Sequence, residues 1–164
     1  MMKNVLSLFC CVFISNIIQA VNPSKNHPTH YLPKSLFSST FQDSQKRFSF
    51  QYPSNWVQKQ QVQGFDVFLI APKRGNGESL ANMSVMSGPL PKEVNVEIYT
   101  SENIKNLLKD NPAIQVKERG TKAIDGIPAN WIRYIRADDQ TEIIHYFFVR
   151  DHIGFLITCG AALE

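Results

Sequence analysis

The chain has 164 residues, a length suited to one globular domain with a targeting or linker segment and too short for two domains of ordinary size. Hydrophobic residues make up 43% and charged residues 19%, which excludes compositional disorder. The formal charge is +3, and losing Lys3 would leave 16 basic against 14 acidic residues, too small an excess to point to a polyanionic partner.

The chain opens with Lys3 and an apolar run, Val5 to Ile18, followed by Ile18-Gln19-Ala20. A charged start, an apolar centre and a small residue at the end form the order of a secretory signal, and the run is shorter than the ~20 residues a spanning helix needs. Residues 1–20 are therefore expected to be a cleaved signal peptide; the alternative is a retained membrane anchor, because Ile18 is bulky for a cleavage site. Leu8-Phe9 before Cys10 places a ring where a lipobox needs a small residue, which argues against lipidation at Cys10 or Cys11. After cleavage only Cys159 remains, so no internal disulfide can form; within Phe155–Cys159 it reads as a small buried hydrophobe.

Residues 21–45 carry Pro23, Pro28 and Pro33 on a polar background and read as a linker or arm. His27 and His30 fall there and read as solvated. The domain is expected over 46–164. Arg47 to Tyr52 alternates as a strand, Phe65 to Ala71 and Ala81 to Gly88 follow, and Pro72 to Gly77 is an exposed turn without the lysine and hydroxyl residue of a phosphate loop. In the third of these strands Asn82, Ser84 and Met86 share one side, Met83 and Val85 the other.

A helix is predicted after Pro91, with Asn95 as its N-cap and Asn111-Pro112 as its end. Val96, Tyr99, Ile104, Leu107 and Leu108 form its core stripe. Four strands then follow: Ile114 to Ile124, Ile127 to Ala137, Thr141 to Arg150 and Ile153 to Ala161. Asp125-Gly126 is a strong two-residue hairpin signal. Along the second, Asn130, Ile132, Tyr134 and Arg136 face one way, Ala129, Trp131, Arg133 and Ile135 the other. In Ile143 to Val149 both alternating sets are largely apolar, as in a strand covered on both faces.

The spans FSFQYPSNW and Ile124-Asp125-Gly126-Ile127-Pro128-Ala129, followed by Trp131 and Tyr134 and combined with a Tyr-containing helix, resemble the PsbP-like superfamily of PsbP-related and DcrB-like exported proteins. The resemblance runs from about Arg47 to the end. It implies an α+β fold, an antiparallel sheet of about six to seven strands flanked by helices in an α/β/α sandwich, used for binding and assembly without a common enzymatic chemistry. It also implies a helix after the last strand, where this sequence reads only Ala161-Ala162-Leu163-Glu164. The expectation is a truncated C terminus with partial cover from a short helix in the arm containing Leu36, Phe37 and Phe41.

No Gly-x-Ser-x-Gly, His-Glu-x-x-His, Cys-x-x-Cys or Walker pattern occurs. His145, Asp151 and His152 are the only sequence-local cluster with metal-ligand chemistry; turn formation explains Asp151 equally well, and no metal or other cofactor is expected. Asp138-Asp139 with Glu142 reads as a solvated acidic turn. Lys73 and Arg74, with Lys117, Arg119 and Lys122, read as a soluble basic rim, with Lys117, Arg119 and Thr121 on one face. Nucleic-acid binding is not expected. The preferred function is an exported, periplasmic or secreted, non-enzymatic envelope protein. It would bind an envelope protein or a small apolar ligand in a groove involving Trp56, Trp131 and Tyr134, touching membrane only through an uncleaved signal segment. The alternative is a metal-dependent or hydrolytic envelope enzyme whose active-site residues are scattered in sequence.

Overall fold

The computed structural model describes residues 39–59, 62–72 and 81–163. The expected signal peptide, His27, His30, Leu36, Phe37, Lys73 and Arg74 lie outside these residues. The chain divides into two compact units, Met1–Trp56 and Val57–Glu164.

In the first unit β1 (Ser39–Gln42) pairs antiparallel with β2 (Ser49–Tyr52). Phe41 stands opposite Phe50, and the rings of Phe41, Phe48 and Phe50 gather within 5.4 to 6.3 Å of one another. The connecting loop is built on Asp43, whose carboxylate accepts from the Gln45 and Arg47 amides at 3.1 Å and from the Arg47 guanidinium at 2.8 Å. That guanidinium holds the Asp43 carboxyl below its ordinary value. The predicted arm thus contributes a strand from Ser39 onward. Phe41, expected in a short helix, is on β1 because a strand sets its ring against the alternating Phe48 and Phe50.

The second unit is a seven-stranded antiparallel sheet. It comprises β3 (Val57–Lys59), β4 (Val67–Ile70), β5 (Ala81–Pro89), β6 (Gln115–Ile124), β7 (Ile127–Arg136), β8 (Thr141–Arg150) and β9 (Ile153–Ala162), in the spatial order β3-β4-β5-β9-β8-β7-β6. The strand predicted over Arg47 to Tyr52 is β2, paired with β1, and the unanticipated β3 takes an edge of the larger sheet. Between β5 and β6 lies α1 (Val96–Asp110), whose first turn is closed by the Asn95 side chain accepting from the Ile98 amide at 2.9 Å. Among the described residues this is the one helix, and it packs across β7 and β8.

Strand alternation divides the core between the two faces of the sheet. Under α1 lie Ile132, Tyr134, Ile143 and Phe147, against which Tyr99, Ile104, Leu107 and Leu156 pack. On the other face Ile144, Tyr146, Phe148, Phe155, Ile157, Val85 and Met83 are also buried. The double burial predicted for the strand through Ile143 to Val149 is therefore observed, as is the split of Ser84 from Met83 and Val85.

Candidate functional site

The helix meets the sheet through a stripe that includes polar side chains. Thr100 is buried, and its hydroxyl oxygen accepts from the Asn130 amide on β7 at 3.1 Å; Asn103 donates to the Tyr99 carbonyl at 2.7 Å. Leu108, predicted within the core stripe, is 37% exposed because the stripe runs through Thr100, Asn103, Ile104 and Leu107, leaving Leu108 on the flank.

That flank borders a shallow cleft of about 590 Å³, open to solvent. From the helix it is lined by Glu97, Thr100, Ser101, Ile104, Lys105 and Leu108, and from the sheet by Arg119 on β6 and Asn130 on β7. Its floor, the Thr100–Asn130 pair, is already hydrogen-bonded, and its apolar surface comes from Ile104 and Leu108. Glu97, Lys105 and Arg119 bring charge to the lining, and Lys105 pairs along the helix with Glu102 at 3.6 Å.

Tyr134 and Trp131 point to opposite faces of β7 because they are three residues apart on a strand, so one groove cannot hold both rings. Tyr134 is buried under α1, while Trp131 is half-buried on the other face. The indole of Trp131 lies across Gly120 on β6, where any β-carbon would stand 2.9 Å from the ring. Trp56 belongs to the first unit.

Beside Tyr134, its hydroxyl lies 3.3 Å from Nε2 of His145 and donates to it when the imidazole carries its proton at Nδ1. The two rings meet edge to face at 5.4 Å, and Phe147 meets the imidazole at 5.9 Å. Burial pushes the Tyr134 hydroxyl up to about 12 and the His145 imidazole down to about 4, so both are neutral at pH 7. This is a packed neutral pair, and among the described residues no carboxylate is hydrogen-bonded to the ring.

Asp151 and His152 form the exposed turn between β8 and β9, away from His145 in mid-strand. Among the described residues no three His, Cys, Asp or Glu side chains are grouped to hold a metal ion. Asp138 and Asp139 are exposed beside Arg136, which donates to Asp139. Glu142 does not belong to that solvated turn: it is 5% exposed and paired with Arg133 at 3.3 Å. A register shift between Val116 and Glu118 takes Lys117 out of alternation, so it does not share a face with Arg119 and Thr121 as predicted. The cleft residues escaped the sequence reading because a helix flank and a strand far along the chain assemble them.

The family described as PsbP-like protein matches residues 12–164. No curated protein matches the chain. Among solved structures, cyanobacterial PsbP from Synechocystis sp. PCC 6803 is 14% identical at a TM-score of 0.59, over 86% of this chain and 88% of that one. The Saccharomyces cerevisiae Ran-binding protein Mog1p is 8% identical at a TM-score of 0.55, over 77% of each chain. A Pseudomonas aeruginosa protein of unknown function, PA94, described as a putative regulator, is 15% identical at 0.52, over 76% of this chain and 82% of that one. At these identities the likeness is one of fold. With the family match spanning nearly its whole length, the chain belongs to the PsbP-like protein family.

Proposed function

We propose that this chain is an exported, non-enzymatic accessory or binding protein of the cell envelope, and that it engages a protein partner through the cleft between α1 and β6. The cleft itself carries the reading. Small-molecule sites enclose most of their ligand's surface, whereas this one is broad, shallow and open, with exposed Leu108 and half-buried Ile104 beside separated charges and a floor whose polar groups are already paired. That shape suits a protein surface better than a small apolar ligand. The enzymatic alternative needs a histidine beside a carboxylate in a pocket, and His145 sits instead among Tyr134 and Phe147. The fold neighbour from yeast is described as Ran-binding, an instance of this architecture serving protein recognition. Export is supported by the charged, apolar and small-residue order of residues 1–20.

The test is affinity capture from native envelope with the processed protein, wild type against Leu108→Glu, with Gln58→Glu on the exposed strand β3 as control. A stoichiometric partner lost only with Leu108→Glu is the expected outcome, and a partner retained by all three proteins would remove the cleft from consideration. N-terminal sequencing of the exported product should begin at Val21; an intact Met1 in the cytosol would end the export part of the reading.

A further inference from the structure

The sheet ends differently at its two edges. At one, β3 is three residues long; at the other, β6 runs for ten and is exposed along most of its length. Beyond the bulge at Lys117 the ladder from Glu118 to Ile124 is regular, and among the described residues nothing pairs with its outer side. Such an edge presents a row of backbone donors and acceptors to an extended chain. Its side chains are selective: Lys117 and Arg119 are exposed, and half-buried Lys122 holds its ammonium 5.5 Å from the Tyr146 ring centroid, against one acid on the strand, Glu118, which Arg133 already holds at 3.1 Å. Positive charge on an edge repels a second copy of itself and attracts an acidic strand. Arg119 also lines the cleft, so the edge and the aliphatic flank of α1 form one continuous surface.

From this juxtaposition we infer that the outer edge of β6 is a docking edge for an extended acidic segment of a partner protein, which joins the sheet as a further antiparallel strand. The inference rests on the protein-binding reading above and names the partner's chemistry. Acidic side chains three apart would stand opposite Arg119 and Lys122, which point to opposite faces. The two residues between them would lie opposite Gly120, on the Trp131 side, and Thr121, on the cleft side.

The probe is the blocked peptide Ac-Thr-Glu-Val-Val-Glu-Thr-NH2, titrated into the ¹⁵N-labelled chain. Amide shifts confined to β6 and the flank of α1 are expected. Affinity should fall about tenfold in high salt, on replacing both peptide glutamates by lysine, and in the double variant Arg119→Glu, Lys122→Glu. The lysine peptide should recover binding to that variant, which also shows that the variant is folded. Backbone N-methylation of the peptide should abolish binding. The proposal is overturned by absent shifts, by equal response to the lysine peptide, by binding that survives N-methylation, or by the same shifts appearing with protein concentration alone, which would seat a second copy on the edge. Loss of partner capture with Leu108→Glu alongside any of these outcomes would leave the cleft reading standing and remove only the edge.

Discussion

Strands β7 and β8 carry polar groups on both faces, in opposite chemical forms. Under α1 the polar pairs are neutral, Thr100 with Asn130 and Tyr134 with His145, set among Ile132, Ile143 and Phe147. On the other face Arg133 stands between Glu118 at 3.1 Å and Glu142 at 3.3 Å. Water still reaches two of the three, the Arg133 side chain being 26% exposed and that of Glu118 55%, while Glu142, 6% exposed, depends on the Arg133 guanidinium for its partner. Beneath the helix an ion would lose its hydration, and the cheaper solution is a neutral pair that shares one proton. The charged face is not free of cost either, since Arg133 Nε is buried without a hydrogen-bond partner among the described residues.

The largest expected effects come from two adjacent residues on β8 that point to opposite faces, Phe147 and Phe148, each 1% exposed. Truncating either to alanine should cost about 3 to 5 kcal/mol in urea unfolding, because each leaves a ring-sized void. Phe147 meets Tyr99 edge to face at 6.2 Å, so only Phe147→Ala should speed hydrogen exchange in α1. Equal acceleration in both variants would erase the distinction between the faces.

Acid sharpens the comparison next. The His145 imidazole is lowered from 6.5 to about 4 by burial, so between those pH values the unfolded chain binds a proton that the folded chain does not. The contribution is complete above pH 6.5 and declines as pH falls toward 4, by about 3 kcal/mol if the whole shift is expressed. His145→Gln keeps a partner for the Tyr134 hydroxyl and cannot titrate, so its stability should lack this slope. A slope unchanged in His145→Gln would assign the acid sensitivity to other groups.

On the charged face, Arg133→Met should cost about 1 to 3 kcal/mol at pH 7 by leaving Glu142, which is 5% exposed, without its cation. Adding Glu142→Gln should return most of that loss. If the double variant stays as unstable as the single one, the aliphatic stem of Arg133 rather than its charge holds this side together.

What could be read from the sequence follows the range of the forces involved. The burial of β8 on both faces was legible because it is written in adjacent residues, Ile143 through Val149, and alternation alone separates Trp131 from Tyr134. The strand β1 was not legible: its four residues gain their meaning only when Phe41 meets Phe50. Thr100 looks like a solvent position until Asn130, thirty residues on, supplies its donor. The cleft was invisible for the same reason, since Leu108 and Arg119 become neighbours only when α1 lies against the sheet beside its edge strand.

The smallest effects concern two hairpin turns of the same geometry and different residues. Asp125-Gly126 joins Ile124 to its partner Ile127, and Asp151-His152 joins Arg150 to Ile153. All four turn residues have positive φ, at 49° and 77° in the first turn and 51° and 58° in the second. This is the form that lets a two-residue loop follow the twist of the strands. Glycine adopts it freely, whereas a side chain meets its own backbone, so His152 holds its place at a cost that Gly126 avoids. A backbone contact ties it there: the Leu90 amide, just past the end of β5, donates to the His152 carbonyl at 2.7 Å. Because that bond does not need the imidazole, His152→Gly should raise stability by about 0.5 kcal/mol, the relief of strain being partly offset by a more flexible unfolded chain. Gly126→Ala should lower it by about 1 kcal/mol. Opposite signs in paired urea titrations would show that turn geometry alone sets both values. A loss of stability in His152→Gly would mean that the imidazole itself is engaged and that the strain is kept for that contact.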